Sequence, residues 1–309
     1  MRALSLFSGA GGLDLGFERA GFEHVASVDS NPTCVSTLRR NRPDWSVLHA
    51  DVRETAFSEG SADVVHGGPP CQPFSMGGRG AGEMDDRNMW PAFSQVISDV
   101  RPSAFVGENV RGMLRRRFRP YVEAQVVAPL EAMGYVCRWY GVNAIDVDVP
   151  QTRCRVFLVG LRSDAAHVTF ADALEKGKCG LRAGARAALG LSEDGYADGP
   201  CPTVKCSFSS PRLTTSIDSG PGSMRKWRTL GIWPCGVQDT RAAASAMPVT
   251  ADASLHRLCV DDVRRLQGFP VDWELLGCRS KQLGLLGNSV PPPMAECVAR
   301  AIRIALQTS

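Results

Sequence analysis

The feature that most constrains this chain is an alternation in its first 160 residues. Short apolar runs are separated by segments with helical spacing. "ALSLFS" (3–8), "HVASVD" (24–29), "SVLHAD" (46–51), "ADVVHGG" (62–68) and "AFVGEN" (104–109) are strand candidates. "VFLVGL" (156–161) is a sixth. Between them "GLDLGFERAGF", "TCVSTLRRN" and "MWPAFSQVISDV" carry apolar residues at helical intervals. A chain that returns through a helix between strands builds a mostly parallel α/β sheet with helices on both faces.

After about Phe170 the texture changes. Residues 176–259 are rich in Gly, Ser, Pro and Thr, with short runs and no clear βα rhythm. This predicts a smaller, irregular domain spanning 176–259, set into a larger one made of 1–175 and 260–309. Regular structure returns with "VDDVRRLQGF" and a final amphipathic helix, "PPMAECVARAIRIAL". At 309 residues the chain is long enough for either one large domain or two. Eleven cysteines include no CxxC pair, and the closest two, Cys201 and Cys206, lack further ligands at zinc spacing. Most are read as small core residues in a reducing compartment. No leader segment and no apolar run near the ~20 residues of a membrane span is found, so a cytoplasmic protein without membrane contact is expected. A net charge of +3 permits a nucleic-acid partner without arguing for one.

Two glycine-bearing turns then stand out. "FSGAGG" follows the first strand, where an open α/β sheet places a nucleotide-like ligand at its carboxyl edge. Glycines let backbone approach such a ligand, and the helix after them offers free N–H groups. Asp29 closes the second strand, twenty positions after Gly9, where a carboxylate can accept from ribose hydroxyls. Asp51 closes the third, in a place suited to an adenine amino group. A purely structural turn, and a capping role for either aspartate, remain open. The second turn is "GGPPCQPFS", Gly67 to Ser75. Prolines on both sides of Cys71 stiffen the backbone around one thiol, as an exposed nucleophile needs and an inert core cysteine does not.

"FSGAGG", "PPCQPFS", "ENV" (108–110), "QTRCR" (151–155), "RRLQGFP" (264–270) and "GNSV" (287–290) occur in the order seen in bacterial DNA cytosine-5 methyltransferases. The resemblance covers residues 1–161 and 260–309, and 176–259 stand where that family has its variable target-recognition domain. It implies the Rossmann-like fold of S-adenosyl-L-methionine-dependent methyltransferases, with that molecule as methyl donor and no metal. It also implies a covalent mechanism. Carbon 5 of cytosine is a poor nucleophile until a thiolate adds to carbon 6, and Cys71 would be that thiol. Glu108 would hold a proton at ring N3 as a general acid, and should titrate high in a dry site. Arg153 and Arg155 alternate along an extended run and would share a face near the base, Arg155 on the cytosine carbonyl. A surface pair supporting the sheet is the other reading. Phe7, Ala10, Gly11, Gly12, Asp29, Ser30, Asp51, Val52, Pro70, Asn288 and Ser289 would line the donor's pocket. Trp90 would join them, where the family usually has a smaller apolar residue.

The implied partner is double-stranded DNA, with the target base extruded into the pocket. Gln72 and Ser75, the latter opening a segment to Asn88 read as a closing lid, would touch DNA. Arg115 and Arg117, with Arg116 and Arg119, form one basic stretch; Arg225, Lys226 and Arg228 form another. Either could grip phosphates or be a solvated helix face. "MPVTA" (247–251) loosely resembles a short motif near the end of the recognition domain. A monomer is expected, acting alone or beside a restriction endonuclease of the same site. Two rivals stand: a tRNA cytosine-5 methyltransferase of this fold, and a DNA-binding regulator that is no enzyme. The first expects a Cys-Phe-Thr string for which "KCSFSS" is the nearest match; the second expects a broken motif.

Overall fold

In the computed structural model the described residues are 1–70, 88–192, 195–206, 221–246 and 255–308. The expected strands form as β1 (Arg2–Leu6), β2 (Glu23–Asp29), β3 (Val47–His49), β4 (Val64–Gly67) and β5 (Ala104–Val110). They are followed by β6 (Val136–Asn143), the two-residue β7 (Gln151–Thr152) and β8 (Cys154–Leu161). Among the described residues all of these but β7 build a seven-stranded sheet in the order β3-β2-β1-β4-β5-β8-β6. The pairs β1/β2, β2/β3, β1/β4 and β4/β5 are parallel. β5 and β8 are antiparallel, with Glu108 opposite Phe157 and Val110 opposite Arg155. The sheet is therefore mixed, and β6, whose exposed and half-buried residues give no clean alternation, was not foreseen.

Side-chain alternation explains the two faces. Leu4 and Leu6 of β1, Val28 of β2, Val65 of β4 and Phe105 of β5 join one apolar cluster. Its other wall comes from α3 (Trp90–Val100), through Trp90, Phe93, Val96, Ile97 and Val100. The opposite face carries Ser5, Ser27 and His66 under α1 (Gly12–Arg19), with Phe17 stacked on His66 at 3.9 Å. α2 (Pro32–Asn41) starts where Asn31 accepts from the Thr33 N–H at 2.9 Å and Pro32 pre-sets the first turn. Trp90 fills space that Gly107 leaves: a Cβ on that glycine would fall 2.7 Å from the indole. The ring is fully buried in the cluster.

Contact density divides the chain into two compact units. The first holds Met1–Val142, Cys154–Lys178 and Ala295–Ser309; the second holds Asn143–Arg153 and Cys179–Met294. Residues 260–294, which the sequence texture groups with 1–175, fall by contact density with 179–259. The second unit contains β7 paired with β9 (Cys201–Pro202), and β10 (Ile232–Gln238) paired in parallel with β11 (His256–Cys259). The helix Arg241–Ser245 lies between the last two in sequence, a βα rhythm that Pro234 and Gly236 inside β10 hide from pattern reading. No helix among the described residues is long and apolar enough to cross a membrane.

Candidate active site

The parallel strands of the first unit end at one edge, and sheet order reverses between β1 and β4. Open α/β sheets hold ligands in the crevice at such a switch point. After β1 the chain turns through Phe7 (φ 55°), Gly9 (φ 58°) and Gly11 (φ 85°). Left-handed backbone is cheap for the glycines and strained for a phenylalanine, so local packing must hold Phe7 there. Half-buried Phe7 packs against the apolar cluster. Gly11 is the N-cap of α1 and gives no side chain to the helix start, while Ala10 and Gly12 are buried beside it.

Asp29 ties this turn to β2. Its Oδ2 accepts from the Gly9 N–H and its Oδ1 from the Asn31 N–H, both at 2.8 Å. Burial pushes its carboxyl up, against the pull of those two donors. Ser30, next to it, is exposed. Asp51 caps the turn Val52–Glu54, accepting from the Arg53 N–H at 2.9 Å, and its Oδ2 lies 2.6 Å from the Arg53 guanidinium. That ion pair holds the Asp51 carboxyl below its usual range. Val52 belongs to the apolar cluster. The two aspartates thus differ: Asp29 shapes the glycine turn, and Asp51 is engaged by the Arg53 cation.

β4 leads into Gly68, Pro69 and Pro70. Cys71, Gln72, Ser75 and the segment through Arg87 lie outside the described residues, as does "MPVTA". Two side chains of the neighbouring β5 meet this approach. A Cβ on Gly68 would lie 3.1 Å from Glu108 Oε2, a tight contact that would push the carboxyl back by a few tenths of an ångström. Asn109, fully buried, donates its amide to the Pro69 carbonyl at 3.1 Å and accepts from the Val110 N–H at 2.9 Å. Prolines offer no N–H, so this approach can be anchored only through its carbonyls. Sequence reading quoted "ENV" but assigned Asn109 nothing; the donor-poor "PP" string was the signal for it. Glu108 is nearly buried, and its Oε1 accepts from Arg155 Nε at 2.9 Å. β5 and β8 run antiparallel here, which sets Arg155 diagonally across from Glu108 on the same face.

Arg153 is placed otherwise than expected. It is fully buried in the second unit, donating to the carbonyls of Val204 (2.8 Å), Gly287 (2.9 Å) and Ser289 (2.7 Å). Arg153 and Arg155 therefore find separate partners. Two unassigned glutamines complete the knot. Gln151 donates to the Leu266 carbonyl at 2.7 Å, and Gln267 to those of Leu286 (2.6 Å) and Ser289 (3.0 Å). "QTR", "LQG" and "GNS" are thus one hydrogen-bonded assembly. Within it Ser289 is buried and Asn288 exposed. Arg115, Arg116, Arg117 and Arg119 are exposed on short turns after β5, Arg119 pairing with Glu123 at 2.6 Å. In the second unit, Arg225, Lys226 and Arg228 are exposed on the helix Pro221–Thr229, which Trp227 anchors by full burial.

The family profile described as "C-5 cytosine-specific DNA methylase" matches residues 1–180 and 213–303. The chain belongs to that family. It is similar to the Type II methyltransferase M.NgoMIV of Neisseria gonorrhoeae, 32% identical over 99% of this chain and 98% of that one. It is also similar to M.AplI of Arthrospira platensis, 30% identical over 98% of this chain and 86% of the other. Among solved structures, the S. pombe Dnmt2 methyltransferase aligns with a TM-score of 0.64 at 17% identity, over 100% of this chain and 98% of its own. A DNA modification methyltransferase of an E. coli prophage aligns at 0.62 and 20%, over 99% of each. The two structures share the α/β fold of the first unit's sheet. As a member of the family this chain is a DNA cytosine-5 methyltransferase.

Proposed function

We propose that this enzyme methylates carbon 5 of a cytosine flipped out of a specific sequence in double-stranded DNA, through a covalent Cys71 adduct at carbon 6. The observation that carries the reading is at the end of β4. There the rigid approach to Cys71 is anchored by Asn109, while Glu108, paired with Arg155, stands against Gly68. S-adenosyl-L-methionine, when bound, supplies a methyl group on a positively charged sulfur, to which an activated carbon 5 can bond. The turn Phe7–Gly12 with Asp29 and Ser30 would hold it, a fit supported by the uncapped start of α1 and the half-buried Asp29 carboxylate. Asp51 would take the adenine amino group on releasing Arg53.

The chain's own groups then divide the work. The Cys71 thiolate forms the bond to carbon 6 as the ring's double-bond electrons move toward carbon 5. Glu108 holds a proton at N3, withdrawing charge from the ring. Arg155 moves from Glu108 to the cytosine carbonyl, leaving the carboxyl free to carry that proton. Gln72, Ser75 and the two basic stretches hold the displaced DNA, and residues 176–259 choose the sequence. The relatives' Type II names support an enzyme that works beside a restriction endonuclease of the same site. A cytoplasmic monomer fits this role.

Bisulfite sequencing of DNA from cells expressing the gene tests activity and target together. The covalent step has its own test, 5-fluorocytosine at the target position. Fluorine cannot leave carbon 5 as a cation, so elimination stops and the protein stays attached to DNA. A shifted band on a denaturing gel, requiring Cys71 and the methyl donor, is expected. No such band on a verified target refutes the adduct.

A further inference from the structure

One buried hydroxyl of the first unit is not used by the reading above. Half-buried Asn88 lies just before α3, and its Oδ1 accepts from the Tyr121 hydroxyl at 2.9 Å. The same oxygen accepts from the Trp90 N–H at 3.4 Å, an Asx turn that sets how the chain enters α3. Because the Trp90 N–H needs an acceptor, the oxygen of the Asn88 amide faces inward, and only a donor suits it there. Tyr121 supplies that donor from 33 residues away. Its ring is 8% exposed and belongs to the apolar cluster, with Trp90 and Phe93 of α3 and with Phe118, Val122 and Val126 of its own run. A phenylalanine would fill that space equally, so packing alone does not call for a hydroxyl. A buried hydroxyl is costly without a partner, and here Asn88 is one. Tyr121 also closes the single turn Arg119–Tyr121, after which the chain widens into a π-type turn over Val122–Val127. Such turns recur at functional sites.

Asn88 follows the segment that begins at Cys71. The approach before that segment is held by Asn109, which donates to the Pro69 carbonyl at 3.1 Å. Asn109 closes β5 and Tyr121 lies on the turns that follow it, so one stretch of chain holds Pro69 before the thiol and Asn88 after it. We propose that the Tyr121 hydroxyl is a positioning group for methyl transfer, fixing the chain at Asn88 and thereby the placement of Cys71. The inference rests on the Cys71 reading above. Tyr121 touches no reacting atom in this scheme, and its contribution is orientation alone. A misplacement of about 1 Å at reacting atoms can cost about 10²-fold in rate, so loosening one of two anchors should cost roughly three- to thirtyfold.

Tyr121→Phe keeps the ring in the cluster and removes only the oxygen. Single-turnover trapping on duplex DNA tests it, with 5-fluorocytosine at a target verified by bisulfite sequencing and with S-adenosyl-L-methionine present. The trace gives a rate and a final amplitude separately. The rate should fall roughly three- to thirtyfold, while amplitude, DNA dissociation constant and melting temperature change little. A purely structural role would lower amplitude and melting temperature together and leave the rate of the folded fraction intact; that outcome overturns the proposal. Asn88→Leu should slow the same step, and adding Tyr121→Phe to it should slow it little further, because both remove one bond. Two effects that multiply overturn the proposal too. Should Tyr121→Phe not fold, trapping by Asn88→Leu at the wild-type rate overturns it equally. If the wild type formed no adduct on the verified target, the Cys71 reading would fall and this inference with it. Wild-type trapping that Tyr121→Phe leaves unaltered would remove the inference alone.

Discussion

The end of β5 and the knot around Arg153 use the same kinds of side chain for opposite ends. At β5, Glu108 and Arg155 face each other as a largely buried pair of opposite charges in the first unit. In the second unit, Arg153 gives its charge to three backbone carbonyls, and Gln151 and Gln267 give their amides to others. The first arrangement keeps charge available for chemistry, and the second spends it on holding chain segments together. Two arginines separated by one residue in "RCR" therefore hold different kinds of partner, backbone carbonyls for Arg153 and a carboxylate for Arg155.

The largest expected effect breaks the knot. Arg153→Met removes the donor for three carbonyls in a fully buried site, and should cost about 3–5 kcal/mol of stability. Thermal or urea unfolding would show it. A variant that melts with the wild type but loses activity would put Arg153 with Arg155 after all.

Glu108→Gln should do the reverse. An amide keeps the shape of the carboxyl but cannot carry a proton to N3, so turnover should fall about 10²–10⁴-fold. Melting should fall less than in Arg153→Met, because glutamine keeps an oxygen for Arg155 to bond although the pair is largely buried. Steady-state kinetics beside a melting curve makes the comparison. Strong destabilisation would show that Glu108, like Arg153, serves the fold.

A smaller effect separates the units by pH. The knot of Gln151, Arg153 and Gln267 has no group that titrates between pH 4 and 8. The first unit has His66, buried neutral with its folded value lowered to about 3. A depressed folded value means stability that is full above the unfolded value of about 6.5 and lost as pH falls toward the folded one. By pH 4.5 this removes about 2–3 kcal/mol. Asp14 acts in the other sense: its raised value stabilises the acid side and is lost as pH rises through about 6. His66→Phe, which keeps a ring on Phe17, should flatten the acid limb of melting temperature against pH. An unchanged limb would place the acid sensitivity elsewhere, His24 being next.

What the chain's order of residues determined alone is substantial. The alternation of apolar runs specified β1 to β5, β8, α2 and α3 to within about two residues, because each is a local pattern paid in side-chain burial. The spaced motifs named the family. Tertiary structure decided the rest. Asn109 became an anchor only because β5 lies beside the proline approach after β4. Trp90 packs its ring into the core because Gly107 leaves room for it. Arg153 and Arg155 parted because the backbone passes from one compact unit to the other between them, at Cys154. Periodicity reports which residues share a face of one element. Which partner a polar group finds across 40 to 140 residues of chain depends on the packing of many elements at once, and no local pattern carries that.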